Sequence, residues 1–494
     1  MSTSDGAVTP PRPRRPEPPA DGGAVGQRVS IPLALLVAGA FFMENLDGTI
    51  IATAAPKMAG AFSVAPADIG ITMTAYLVTV AALIPVSGWA AERWGARRTF
   101  TLALVGFTAA SAWCAASTSL PELTGVRILQ GAAGAMMVPV GRLVVLRLTG
   151  KSDLIRVIAY LTWPGLVASV AAPVLGGVFA TYLSWRWIFL VNLPLGVIAV
   201  AVALRIVPRV PGRRGAGLDR TGFVLVGTAL AAVMYAASLL GEDRTPWPLC
   251  GGCAVMGAAL AAWGLRHLIR TPRPLVDLTA FRVRTFRVAH AGGSLYRGAV
   301  FAVPFLLPLM FQDAFGWTPL RAGSMVVFVF VGNLAIKPAT GPLLRRLGFR
   351  AVLVASATAL AVATALIGLL TAHTAPVLIA LLLVAGGAFR SIGFTGYNTI
   401  AFADIAPESM THANTLSSTV QQLAQGLGVA VGGLLLRAGE AVSGPSSLAA
   451  YRLAFAMLAV FALLAAAEAA ALPRDAGAHL GAASAAGPVR ARRS

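Results

Sequence analysis

The chain has 494 residues, 57% of them hydrophobic and only 12% charged, with a mean hydropathy of +0.76. Too few polar groups remain to coat a water-soluble globule of that length, which excludes a soluble protein and leaves lipid as the expected solvent. The formal charge of +20 does not call for nucleic acid, because the basic residues follow loop sidedness instead of gathering on one helix or patch.

Residues 1–30 are rich in Pro, Gly and Arg without an apolar stretch, and read as a disordered tail. No cleavable signal is expected, since two acids in the first apolar run make it a poor signal core. Fourteen runs follow that meet the roughly 20 residues needed for a helical span. They lie near 31–55, 69–89, 99–118, 122–146, 156–180, 187–207 and 219–240, then 247–266, 286–311, 321–343, 351–371, 376–398, 415–437 and 450–472. An even count places both termini on one side. Arginine and lysine collect in alternate connections, among them Arg93, Arg97 and Arg98, then Arg147, Lys151 and Arg156, then Arg345, Arg346 and Arg350. By the positive-inside rule these loops and both termini are cytoplasmic, beside anionic lipid. The stretch 473–494 reads as a second disordered tail.

The first span carries Glu44 and Asp47. At about 1.5 Å per residue they lie roughly 20 and 24 Å into a core of about 30 Å, in its outer half and on one helix face. Arg127 in the fourth span falls roughly 7 Å from the outer edge, in the same layer, so a pair with Asp47 is expected. Intramembrane acids are costly and point to ion or proton pathways. A carboxyl whose arginine partner comes and goes changes its proton affinity, which makes Asp47 and Glu44 proton-carrying candidates and Arg127 their partner.

Tyr296 and Arg297 reach about 16 Å depth in the ninth span. There Arg297 has two open roles, pairing with Glu44 across a cavity or binding an anionic substrate group, alongside a purely structural pair. Gln130, Asn398, Gln421 and Gln425 are further cavity candidates, whereas Arg142, Lys337 and Arg390 are placed toward the cytoplasmic side, able to snorkel. Gly426-x-Gly428-x-x-x-Gly432 has no strand ahead of it and reads as helix packing. Cys250-Gly-Gly-Cys253 has redox or zinc spacing but lies in an apolar span without further ligands, so no metal site is expected.

The loop after the second span recurs after the tenth: Gly88, Arg93, Gly95 and Arg97 align at one constant spacing with Gly341, Arg346, Gly348 and Arg350. Internal repeats around a midplane site are a transporter architecture. Gly88 lets two helices approach, Gly95 permits a tight turn, and Glu92, Arg93 and Arg97 can pair with a neighbouring span, so the loop can lock one face.

Gly88-x-x-x-Glu92-Arg93-x-Gly95-x-Arg97-Arg98 resembles the signature loop of the major facilitator superfamily, and fourteen spans resemble its drug:proton antiporter branch. Leu46-Asp47-Gly-Thr49, Arg127-Ile-Leu-Gln130-Gly131, Ala172-Pro173-Val-Leu-Gly176-Gly177, Trp185-Arg186-Trp187-Ile-Phe-Leu-Val-Asn192-Leu-Pro194 and Arg390-Ser391-Ile-Gly-Phe-Thr395-Gly-Tyr-Asn398 extend the resemblance over about residues 31–472. Glu92 stands where the family usually has Asp, and Ala172 where it usually has Gly. The resemblance implies an all-α membrane fold with fourteen helices: a six-helix bundle over 31–207, an inserted helix pair within 208–285, and a second, pseudo-symmetric six-helix bundle over 286–472. It further implies gating at Pro173, Gly176 and Gly177, and proton-driven export of hydrophobic or amphipathic small molecules by a monomer without a cofactor. Export of one metabolite is the alternative, and a receptor or scaffold a further one. No His-Glu-x-x-His or Gly-x-Ser-x-Gly is present, so no catalytic residues are expected.

Overall fold

The computed structural model describes residues 31–212, 217–240, 245–444, 447–478 and 480; both predicted tails lie largely outside them, as do Arg213 and Arg214. Among the described residues every regular element is helical. In lipid a backbone must satisfy its own hydrogen bonds, and apolar runs without competing side chains do so as helices.

The first half holds α1 (Ile31–Phe62), α2 (Gly70–Leu83), α3 (Val86–Trp94), α4 (Ala96–Ala116), α5 (Leu120–Leu148), α6 (Leu154–Tyr182), α7 (Trp187–Leu190) and α8 (Asn192–Ile206). Then come α9 (Arg220–Leu239) and α10 (Trp247–Arg270). The second half holds α11 (Arg284–His290), α12 (Gly292–Leu309), α13 (Pro319–Ala335), α14 (Lys337–Leu347), α15 (Phe349–Gly368), α16 (Pro376–Ile400), α17 (Met410–Ser443) and α18 (Leu448–Ala470).

Eleven helical stretches are long and apolar enough to cross a membrane, and two bent pairs raise this to thirteen. The remaining expected span, 156–180, falls on α6, a helix of 29 residues, so the count of fourteen is consistent with the structure. The bends are corrections to single straight spans: α2 meets α3 at 60° and α13 meets α14 at 49°. Proline explains both, because Pro85 and Pro338 sit at the breaks and lack the N–H that would continue the ladder. Helix α1 also runs past its expected end, through Pro56 to Phe62.

Two bundles result. In the first, α1 packs along α6, and α5 packs along α2 and α4; in the second, α15 packs along α18 and α16, α12 along α17, and α13 along α16. The pair α9–α10 packs on itself, with α9 against α2 and α17. The α13–α16 crossing is close because Gly332 and Gly387 face the opposite backbone. A Cβ on Gly332 would lie 2.6 Å from the Val384 carbonyl carbon, and one on Gly387 2.8 Å from that of Val329. The repeated loop adopts one geometry twice, with Gly95 at φ 86° and Gly348 at φ 77°, a region that side chains with a Cβ avoid. Beyond 472 the chain keeps packing on the second bundle: Gly477 lies against Phe349 and Ile400, and Leu480 is buried.

Candidate functional site

Five helices of the first bundle, α1, α2, α4, α5 and α8, deliver groups to one buried point. Asp47 of α1 pairs with Arg127 of α5, and both are fully buried. One turn along α5, Gln130 accepts from Arg127 Nη1 (2.6 Å) and donates through Nε2 to Asp47 Oδ1 (2.9 Å) and Ser111 Oγ (2.8 Å). Asn192, the first residue of α8, donates to Asp47 Oδ1 at 3.1 Å. From α2, the Tyr76 ring covers the Arg127 guanidinium at 4.1 Å. The carboxylate thus accepts from three donors. A buried ion pair repays its desolvation only when such additional bonds occupy its remaining lone pairs.

Gln130 therefore belongs to this charge network and not to a substrate cavity. Sequence reasoning also missed Asn192, Ser111 and Tyr76. Asn192 had a signal, since it lies in the Trp185–Pro194 segment; Ser111 and Tyr76 had none. Glu44 stands one turn from Asp47 and takes no part in the network. Its Oε1 lies 3.8 Å from where a Cβ on Gly134 would sit, with the Tyr76 hydroxyl on the same side. Among the described residues that hydroxyl has no hydrogen-bond partner. Glu44 is partly exposed, and among the described residues it forms no ion pair.

Arg297 does not pair with Glu44. Its Nη1 donates to Ala289 O at 3.0 Å, and its Nη2 approaches Asn398 Oδ1 at 3.4 Å. Arg142 Nη2, from the first bundle, approaches the same Oδ1 at 3.4 Å. Tyr296 is fully buried, and its hydroxyl donates to Phe389 O at 2.8 Å, so it ties α12 to α16 instead of lining a cavity. Snorkelling is likewise overturned for Arg142, Lys337 and Arg390, all three of which are buried. Lys337 Nζ donates to Thr395 Oγ1 (2.9 Å) and to Thr162 Oγ1 (3.1 Å) across the bundles; Arg390 lies over the rings of Phe301 and Phe330. Isolated cations at this depth cost about 2.5–3.5 kcal/mol each on insertion scales, so four of them make a layer that needs explaining. Gln421 and Gln425 are partly exposed, and Gln421 Nε2 donates to Ser417 Oγ at 2.7 Å.

The bundles meet at the arginine-rich end. Arg147 donates to Thr411, and Asn414 Nδ2 to Pro139 O at 2.9 Å. Glu92 Oε1 faces His412 Nε2 at 3.8 Å. Gly88 touches Thr415, where a Cβ would lie 3.3 Å from the threonine Cβ and collide with its hydroxyl. Arg97 donates to Leu204 O, anchoring α4 to α8, while Arg93 is exposed and presents its backbone to Gly212. A cavity of about 420 Å³ beside this loop is lined by Trp94, Arg97, Arg98, Leu204 and Arg209, away from the Asp47 network. Of the α6 residues expected to gate, Pro173 lies within an unbroken helix. Gly176 packs against Ile50 and Thr53 of α1, whereas a Cβ on Gly177 would meet nothing within 4 Å, so of the two glycines only Gly176 packs closely.

The family model described as Major Facilitator Superfamily matches residues 37–265 and 289–493. MdtD of Cronobacter sakazakii, named for multidrug resistance, is 36% identical over 405 residues, covering 82% of this chain and 85% of that protein. The Escherichia coli MdtD is 35% identical over 404 residues, covering 81% and 85%. Among solved structures, the human organic anion transporter MFSD10 superposes with a TM-score of 0.61 at 15% identity, covering 89% of this chain and 99% of that one. The proton:xylose symporter XylE superposes at 0.58 with 13% identity, covering 88% and 94%. At such identities these two speak for the fold alone.

Proposed function

The chain belongs to the Major Facilitator Superfamily, and from that premise we propose that it exports hydrophobic or amphipathic small molecules across a bacterial cytoplasmic membrane in exchange for protons. The observation that carries this reading is the fully buried Asp47, held by Arg127, Gln130 and Asn192, with Glu44, which forms no ion pair among the described residues, one turn away. The multidrug-resistance names of the relatives supply the substrate class.

In this reading both termini and the arginine-rich loops face the cytoplasm, and the bundles are closed there, so the polar layer belongs to the outward-facing half of an alternating-access cycle. Glu44, partly exposed, takes a proton first. A proton reaching Asp47 discharges its pair with Arg127 and leaves the guanidinium bonded to Gln130. Loss of that charge-assisted tie between α1 and α5 shifts the balance between the two ways the bundles can meet. Gly176 transmits the shift, because it lets α6 follow α1.

Inverted vesicles energised to an acid interior test the proposal, with a panel of cationic, neutral and anionic amphiphiles added to wild type and to Asp47→Asn. The expected outcome is substrate-evoked dissipation of the pH gradient in wild type and its loss in the variant. Dissipation of equal size in both would remove Asp47 from the proton path and leave Glu44 to be tested in the same way.

A further inference from the structure

Besides Arg127, which is paired with Asp47, the first bundle contributes one buried cation, Arg142, and the second contributes three, Arg297, Lys337 and Arg390, none more than 9% exposed. Among the described residues none of the four forms an ion pair. Their acceptors are neutral and few. One amide oxygen, Asn398 Oδ1, is shared by Arg142 and Arg297 at 3.4 Å each, at the long end of what counts as a hydrogen bond. Lys337 has two threonine hydroxyls. Among the described residues Arg297 Nε and Arg390 Nη1 have no hydrogen-bond partner. Buried charges in proteins are paired or they bind something. Asp47, the fully buried carboxylate of the first bundle, is already engaged by Arg127, and Arg297 does not pair with Glu44.

Position adds to this. Asn398 and Thr395 lie within one turn of α16, and their partners come from both bundles, Arg142 and Thr162 on one side, Arg297 and Lys337 on the other. Phe301, Phe330 and Phe394 surround the guanidiniums of Arg390 and Arg297. A layer shared by both bundles is remade each time they rock, as a carrier's site must be.

We propose that this layer binds an anionic group, so that the exported molecules are amphipathic organic anions: an apolar body against the phenylalanines, and a carboxylate, sulfonate or phosphate between Arg142 and Arg297. This rests on the transporter reading above and narrows its substrate class. The anion supplies the acceptor that Arg297 Nε lacks and a charged one for the two guanidiniums that share Asn398 Oδ1.

The test is binding to the purified full-length chain in nanodiscs, without any gradient. Three probes share one ring system: naphthalene-2-sulfonate, 2-naphthol and 2-naphthyltrimethylammonium. The sulfonate is expected to raise the thermal unfolding midpoint saturably and the ammonium to leave it unchanged. Arg297→Gln and, on the other bundle, Arg142→Gln should each weaken sulfonate binding at least tenfold, and Arg297→Lys should restore part of it. Equal binding of the ammonium, no sulfonate binding, or sulfonate binding unaltered in both glutamine variants would overturn the proposal. Sulfonate binding that depends on both arginines, with no proton-driven movement of the probe in vesicles, would leave the anion site standing and sink the export reading instead.

Discussion

At the scale of single residues, the chemistry turns on how a carboxylate is held by its donors in an apolar bundle. Asp47 and Arg127 could be matched from sequence because helix rise puts both in one layer. Gln130 could not be assigned its part, because whether an amide three residues from Arg127 turns toward the pair or toward a cavity depends on where α4 stands. The structure has it bonded to Arg127, Asp47 and Ser111 at once. Bonds to charged groups contribute about 1.5–3 kcal/mol each, and losing one partner exposes the other to the full cost of desolvation. Gln130→Ala is therefore expected to destabilise the protein by about 2–4 kcal/mol and to cut transport more than tenfold. Thermal unfolding in detergent and vesicle transport check the two effects separately. Ser111→Ala, which leaves Asp47 with all three donors, should cost markedly less in both.

At the scale of helices, close approach decides which small residues matter. Gly176 and Gly177 are adjacent and equal in sequence, yet only one faces α1. A Cβ at 176 would sit 3.0 Å from Ile50 Cγ1 and 3.1 Å from Ile50 O, and would collide with the Thr53 hydroxyl, whereas one at 177 meets open space. Overpacking of this kind costs about 1–3 kcal/mol. Gly176→Ala is expected to lower the melting temperature by several degrees and slow transport, with Gly177→Ala close to wild type in both. Equal effects would mean that α6 is rotated from its place here. The helices themselves were legible as apolar runs, but not the bends at Pro85 and Pro338, since a proline near a loop reads equally well as the end of a span.

At the scale of the whole molecule, the repeated loop relates the two halves. Gly95 and Gly348 take the same positive φ, so each half ends its bent pair with the same turn. Their surroundings differ: a Cβ on Gly95 would collide with Val210 O, while one on Gly348 has nothing within 4 Å. Backbone strain alone costs on the order of 1–3 kcal/mol for a residue with a Cβ in such a region. Gly348→Ala should therefore be destabilised by about that much and Gly95→Ala by more, measured as melting temperatures side by side. A reversed order would show that the linker after α8 yields easily and that the turn itself limits stability.

The sequence by itself determined the lipid environment, the all-helical fold, the duplicated loop and the family, because these rest on composition, run length and ordered motifs that act along the chain. It also placed Asp47 and Arg127 in one layer, since depth follows from helix rise. Only the tertiary structure decided which way side chains turn about each helix axis. Rotation is set by packing against neighbours far away in the chain, as Gly176 on Ile50 or Gly332 on Val384 makes plain. For that reason Gln130 moved from cavity to charge network, Tyr296 became a tie between helices, and Arg142, Lys337 and Arg390 turned inward beside Arg297 instead of outward to the membrane surface.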